Sequence, residues 1–223
     1  FNPNELVYRH ESSFKSKPRR NIIFSPMNVG LSQVCVYCAS SNQIDIKYFE
    51  AAGRLGDLLA EHHITLVYGG GASGLMGRIA DHVMYAGGKV IGIIPDFMKQ
   101  VEWAHNKITE LHIVGDMHER KKRFLDGTDA LVAMAGGCGT LEELLEAITL
   151  KRLGLFNKPI ILLNTDGFYD DLIAMLHKCI DERFMNADST QMWTVVHHPE
   201  EVIPAIRTAP KWHDDAITRA TLK

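Results

Sequence analysis

At 223 residues, 46% hydrophobic and 23% charged, with a formal net charge of −3 at pH 7, the chain has the make-up of one ordinary globular domain. That charge gives no electrostatic reason to expect nucleic acid or a membrane surface as the main partner, no apolar run approaches the roughly 18 residues a bilayer requires, and the first residues lack the apolar stretch of a signal peptide. The cysteines, at 35, 38, 138 and 179, are too few and too scattered for a disulfide framework, so a reducing, cytoplasmic setting is expected.

Residues 1–32 mix Pro3, Pro18 and Pro26 with basic residues such as Lys15, Lys17, Arg19 and Arg20 and show no sustained period. They read as an N-terminal extension packed loosely on the domain, the basic cluster being a solvated tail. A first strand is predicted over 34–39. Cys35 and Cys38 fall three apart in it, on opposite faces, and no second pair at ligand spacing completes a metal site. Ser40-Ser41-Asn42 then leads to a helical run over 47–62, with Phe49, Ala52, Leu55, Leu58 and Leu59 as its apolar positions.

A second strand over 64–68 enters the glycine-rich turn 69–77, which contains Gly70 and Gly71. Its helix, 73–86, stops at Gly87-Gly88, and a third strand follows over 89–94. Residues 96–107 look irregular and carry Glu102 and Trp103; 108–114 reads as a strand, and Asp116 opens a helix bearing Arg120, Lys121, Lys122 and Arg123. The apolar run 130–134 is a buried strand that leads, through Gly136-Gly137-Cys138-Gly139-Thr140, into a helix with apolar residues at 141, 144, 145 and 148. Further elements are a strand over 159–163, a helix over 170–184, a strand over 193–196 and a helix over 200–208. The tail 209–223 has no clear role.

Apolar strands alternating with amphipathic helices imply an α/β fold over 33–208, a Rossmann-like, doubly wound, mostly parallel sheet with helices on both faces. Ligands of such sheets collect at the carboxyl ends of the strands, so Ser40, the 69–77 turn and the 136–140 turn should share one cleft. Three glycines in four positions let a ligand approach the backbone, and the unpaired N–H groups at a helix start favour an anion, most often phosphate. The competing reading makes Thr140 an N-cap with Glu143 as its capping-box partner. Neither glycine turn has the Lys-Ser or Lys-Thr of a Walker A loop, and the glycine spacing misses the dinucleotide fingerprint, so the expected ligand is the size of a mononucleotide.

Tyr68-Gly-Gly-Gly-x-x-Gly-Leu-Met-Gly77, Met117-His-Glu-Arg-Lys121 and Gly136-Gly-x-Gly-Thr-Leu-Glu-Glu143 resemble the three hallmark segments of the LOG (Lonely Guy) family of cytokinin riboside 5′-monophosphate phosphoribohydrolases. The resemblance runs from about residue 34 to residue 206 and implies hydrolysis of the N-glycosidic bond of an adenosine 5′-monophosphate, often N6-prenylated, with water and neither an organic cofactor nor a metal. Residue by residue, it makes Arg120 and Glu143 the catalytic pair. It makes Glu102, Lys121, Gly137, Cys138, Gly139, Thr140, Leu141, Glu142 and Thr149 substrate contacts. It also implies a homodimer in which the neighbouring subunit helps complete the site. Many relatives carry the label lysine decarboxylase, yet no lysine here sits in an identifiable pyridoxal-phosphate context. The chain departs from the family at Ala135, usually proline, and at Ala39, usually glycine.

The chemistry fits these residues. Breaking a nucleoside C1′–N9 bond builds positive charge on the ribose, and a carboxylate beside C1′ stabilises that charge and orients or deprotonates water, a role suited to Glu143. Arg120 is always charged and serves to hold an anion or a hydroxyl. Met76, Met98, Met117 and Met134 are candidates for an apolar pocket, although methionines at such positions more often belong to the core. Two alternatives stay open: a broad purine nucleotide 5′-monophosphate nucleosidase of salvage, and a non-catalytic nucleotide carrier.

Overall fold

The computed structural model describes residues 6–9, 30–99, 103–213 and 215–219. The basic cluster of Lys15, Lys17, Arg19 and Arg20, and Glu102, lie outside the described residues. Strands β1 (Leu6–Arg9), β2 (Gln33–Tyr37), β3 (Thr65–Tyr68), β4 (Val90–Pro95), β5 (Glu110–Val114), β6 (Ala130–Ala133), β7 (Ile160–Leu163) and β8 (Thr194–Val196) form one sheet. Their order is β1-β5-β4-β3-β2-β6-β7-β8, with β2 to β8 parallel and β1 antiparallel to β5. The helices are α1 (Ile46–Glu61), α2 (Gly74–Tyr85), α3 (Met117–Leu125), α4 (Cys138–Arg152), α5 (Asp170–Asp181), α6 (Pro199–Thr208) and α7 (Ala216–Arg219).

Both faces of the sheet are covered because the central strands are apolar at nearly every position, and the period of two sorts the residues between two cores. Val34, Val36, Leu66, Tyr68, Ala130 and Val132 pack with Leu55 of α1, Ile79 of α2 and Ile203 of α6. Cys35, Tyr37, Val67, Leu131 and Ala133 pack with Phe124 of α3, Leu144 and Ile148 of α4, and Leu176 of α5. Cys35 and Cys38 therefore belong to opposite faces.

The chain lays β3, β4 and β5 on one side of β2, then returns to build β6, β7 and β8 on the other, so strand order reverses between β2 and β6. Backbone pairing continues past the strand ends, with Met134 N–H donating to Tyr37 O at 2.9 Å and Ala39 N–H to Ala135 O at 3.1 Å. Beyond it the two connections leave for opposite faces and open a crevice, the usual ligand position in a doubly wound sheet.

Three features differ from the sequence reading. Leu6–Arg9, within the expected extension, lies beside β5 as an edge strand, and this pairing satisfies a strand edge that would otherwise face outward. The tail beyond residue 209 places Trp212 and Ala216 in the core, on the side of α4. Helix α5 stops at Asp181, and the left-handed backbone of Arg183, at φ 64°, turns the chain away. Among the described residues, no helix is long and apolar enough to cross a membrane.

Lys151 of α4 is 2% exposed and donates to the carbonyl of Lys158 at 2.9 Å. Burial pushes its ammonium from 10.5 down to about 8. The unfolded chain therefore binds more protons than the folded one between those values, and stability from this group rises with pH across that window. Below it the charged form costs the fold about 3 kcal/mol, partly offset by the hydrogen bond. Lys151→Met should raise the melting temperature at pH 7 by a few degrees, about 1–2 kcal/mol, and its advantage should shrink as pH rises from 8 to 10. A variant less stable than the parent at pH 7 would contradict this account.

Candidate active site

Helix α4 starts at the crevice in an unusual way. Its N-cap is Gly137, which has no side chain to accept a donor, and its first bond runs from Leu141 N–H to Gly137 O at 3.0 Å. The N–H groups of Cys138, Gly139 and Thr140 thus have no acceptor within the helix. Thr140, expected as an alternative N-cap, is instead inside the first turn and 6% exposed, packed so closely on Gly136 that a Cβ there would stand 2.2 Å from Thr140 Oγ1. Gly136 is what lets the turn fold back on itself.

The other glycine turn is built differently. Helix α2 also follows a glycine run, but Leu75 and Met76 donate to Ala39 O at 2.9 and 3.3 Å, and Gly74 donates to Asn42 Oδ1 at 2.8 Å. Gly74, at φ +63°, admits this contact, since a Cβ would stand 2.4 Å from the Ser40 carbonyl carbon. The start of α2 is thereby closed by the β2–α1 connection, and of these two helix starts it is α4 that offers open donors at the crevice.

A cavity of about 360 Å³ opens there. Ser40, Arg120, Gly137, Cys138, Gly139, Thr140, Glu142 and Glu143 all line it, together with Met76, Met98 and Met117. The other expected contacts lie elsewhere. Gly70 packs toward Ile94 and Leu111, and Gly71 bridges Ala104, leaving Gly69 as the glycine of that run that lines the cavity. Gly136 and Leu141 support the turn from behind its surface, and Met134 is 1% exposed in the core. Lys121 Nζ lies 2.7 Å from Glu142 Oε1 and 3.2 Å from Glu146 Oε2, so it ties α3 to α4 outside the cavity. These partners, the Glu142 hydrogen bond foremost, push its ammonium up. Thr149 donates to Leu145 O on the exposed face of α4, also outside the cavity.

Arg120, expected to be catalytic, is 4% exposed, whereas its neighbour Lys122 lies on the exposed side of the helix. Its Nε donates to Ile93 O at 3.1 Å and its Nη2 to Gly69 O at 2.8 Å, while Nη1 faces Met98 Sδ at 3.4 Å. The guanidinium carbon sits 5.3 Å from the Phe124 ring centroid. Buried as it is, the guanidinium keeps its charge and gives the cavity it lines a field that favours a negative group. Glu143 is half-buried beside the end of β2. Burial first, with the Glu143 charge added, pushes the Cys35 thiol and the Tyr37 hydroxyl well up, so both stay protonated. The sequence reading missed Gly69, Tyr37 and Phe124 as cavity walls. Phe124 carried a signal, standing four residues after Arg120 on one helix face.

The family described as possible lysine decarboxylase matches residues 76–206. The chain is 37% identical over 214 residues to the cytokinin riboside 5′-monophosphate phosphoribohydrolase LOG3 of Arabidopsis thaliana, covering 96% of this chain and 94% of that one. It is 41% identical over 171 residues to LOG7 of the same plant, covering 77% and 79%. Among solved structures, the molybdenum cofactor binding protein from Rippkaea orientalis matches at TM-score 0.62 and 24% identity, covering 81% of this chain and 98% of its own, which speaks for the fold alone. No lysine lines the cavity among the described residues.

Gly137 separates ligand binding from folding. A Cβ there would meet no atom within 4 Å and the backbone is already extended, so Gly137→Ala should fold with an unchanged melting temperature while its methyl intrudes on the donors. Binding of AMP, read by calorimetry, should weaken about tenfold, or roughly 1.4 kcal/mol. Gly136→Ala should instead lose stability through the Thr140 clash. Undiminished affinity in Gly137→Ala would remove the turn from the binding site.

Proposed function

This chain belongs to the LOG family of cytokinin riboside 5′-monophosphate phosphoribohydrolases, and from that premise we propose that it hydrolyses the N-glycosidic bond of AMP or an N6-modified AMP to free base and ribose 5-phosphate. The observation that carries the reading is the joint presence, in one cavity, of the open donors at the start of α4, the Glu143 carboxylate and the Arg120 guanidinium.

The 5′-phosphate accepts the N–H groups of Cys138, Gly139 and Thr140, at the positive end of the α4 dipole. Glu143 lies five residues beyond the first helical residue, about 7.5 Å along the axis, a span that suits a ribose between phosphate and C1′. As the C1′–N9 bond breaks, its electron pair leaves with the base and positive charge gathers on C1′ and the ring oxygen. Glu143 stabilises that charge and takes a proton from the water that adds to C1′; the proton ends on the departing base, so no other reactant is consumed. Arg120 keeps its charge throughout and holds the Glu143 carboxylate in the geometry that the transition state needs. Met76, Met98 and Met117 offer a polarisable wall for an apolar N6 substituent.

The homodimer implied by family resemblance is supported by the outward face of α4, where Leu145 is 40% exposed next to Thr149, a matched substrate position that lies outside its own cavity. Four free thiols support a reducing, cytoplasmic setting. The carrier alternative is disfavoured by Glu143, since an acidic group beside an anion site weakens simple anion binding.

Purified protein incubated with AMP, N6-isopentenyl-AMP, GMP and CMP should release free base from the adenine nucleotides. Glu143→Ala should lower that release at least about a hundredfold. The ratio of prenylated to plain AMP turnover separates cytokinin activation from salvage, and binding of AMP without cleavage would leave the carrier reading in its place.

A further inference from the structure

Two of the partners of Arg120 come from segments with no direct chain connection. Gly69 O, 2.8 Å from Nη2, ends β3; Met98 Sδ, 3.4 Å from Nη1, belongs to the short helical turn Asp96–Met98 after β4. The segment that follows stitches them together. Ala104 N–H donates to Lys99 O at 3.0 Å, beside Met98, and Ala104 also bridges Gly71. Ala72 N–H donates to Trp103 O, and His105 N–H to Gly70 O, each at 2.8 Å. The stitching holds Trp103 at φ 50°, a left-handed conformation a tryptophan rarely adopts, so the segment needs an anchor against relaxation.

His105 supplies it. Its imidazole is buried, 5% exposed, with both nitrogens engaged: Nδ1 accepts Lys107 N–H at 3.3 Å, which places the ring proton on Nε2, 3.0 Å from Asp81 Oδ1 of α2. We propose that the Asp81–His105 pair is a positioning device for the reaction: by pinning residues 103–105 onto the glycine turn and onto Lys99, it fixes the Gly69 carbonyl and the Met98 sulfur and so aims the Arg120 guanidinium into the cavity. The inference rests on the hydrolase reading for its kinetic consequences. The phosphate donors on α4 are untouched by it, so its signature is in turnover and not in substrate affinity.

Asp81 is the residue to change, because its side chain is 69% exposed and its loss leaves no buried void. Asp81→Ala should lower kcat about tenfold with KM within about twofold, the pattern of an interaction that matters in the transition state. Asp81→Asn, which still accepts from Nε2–H, should recover activity to within about threefold of the parent, and in an Arg120→Lys background Asp81→Ala should cost nothing more. Equal losses in both backgrounds, or an unchanged kcat, would overturn the proposal. If the unsubstituted chain cleaves no nucleotide, the hydrolase reading fails by itself. The positioning is then decided by hydrogen exchange at Arg120 Nε–H, bonded to Ile93 O: faster exchange in Asp81→Ala supports it and an unchanged rate sinks it.

Discussion

An α-helix cannot satisfy its first N–H groups from within, and α4 begins on a glycine, which removes the side chain that would ordinarily do so. Three donors are left pointing into the gap where β2 and β6 part. Water can serve them, but a fixed anion serves them better, because the helix dipole adds to the hydrogen bonds. The position of everything else in the site follows. Glu143, just over one turn into that helix, lies about 7.5 Å along the axis from its first residue, within the span of a ribose. Helix α2 shows the alternative outcome of a similar start: the Ala39 carbonyl and the Asn42 amide oxygen take its first donors, and the anion site is closed before a ligand arrives.

Arg120 imposes the second constraint. A guanidinium removed from water has to be compensated by the groups packed around it, and negative charge nearby does this best. Glu142 and Glu143 share its cavity, and Lys121, the next residue, is drawn to the outer side by Glu142 and Glu146. Adjacent basic residues on one helix thus divide the work: Lys121 fixes the spacing of α3 and α4, and Arg120 faces the cavity. An anionic substrate entering such a site adds charge compensation as well as hydrogen bonds.

Much of this was legible in the sequence, and the limits are physical. Apolar runs and helical periods marked the alternation of strands and helices, because burial on both faces of a parallel sheet leaves no other composition for its strands. The pattern at 141, 144, 145 and 148 marked a helix but not its inward face: Leu144 and Ile148 are buried, whereas Leu145 is 40% exposed. The two glycine turns looked alike because what distinguishes them is non-local; Asn42, 32 residues from Gly74, decides that one is closed. The basic run 120–123 could not reveal which member was buried, since spacing gives direction around a helix and says nothing of the depth of the neighbouring sheet. Trp212 and Ala216 looked like tail because the core they join, on the side of α4, is distant in sequence.

A doubly wound sheet with an anion cradle is common to binders and catalysts, so the fold cannot decide between them. The decision rests on whether a group is present whose value rises as the reaction proceeds. A carboxylate next to a bound phosphate is repelled in the ground state, and that cost is returned only when the ribose becomes cationic. Glu143 is half-buried beside the protonated Cys35 and Tyr37, in surroundings that screen it less than water does, which enlarges both the cost and the return. A chain selected only to hold a nucleotide would gain from a neutral residue there. Keeping the acid, with a buried cation aimed at the same space, makes sense for a site that binds its substrate imperfectly in order to bind the transition state well.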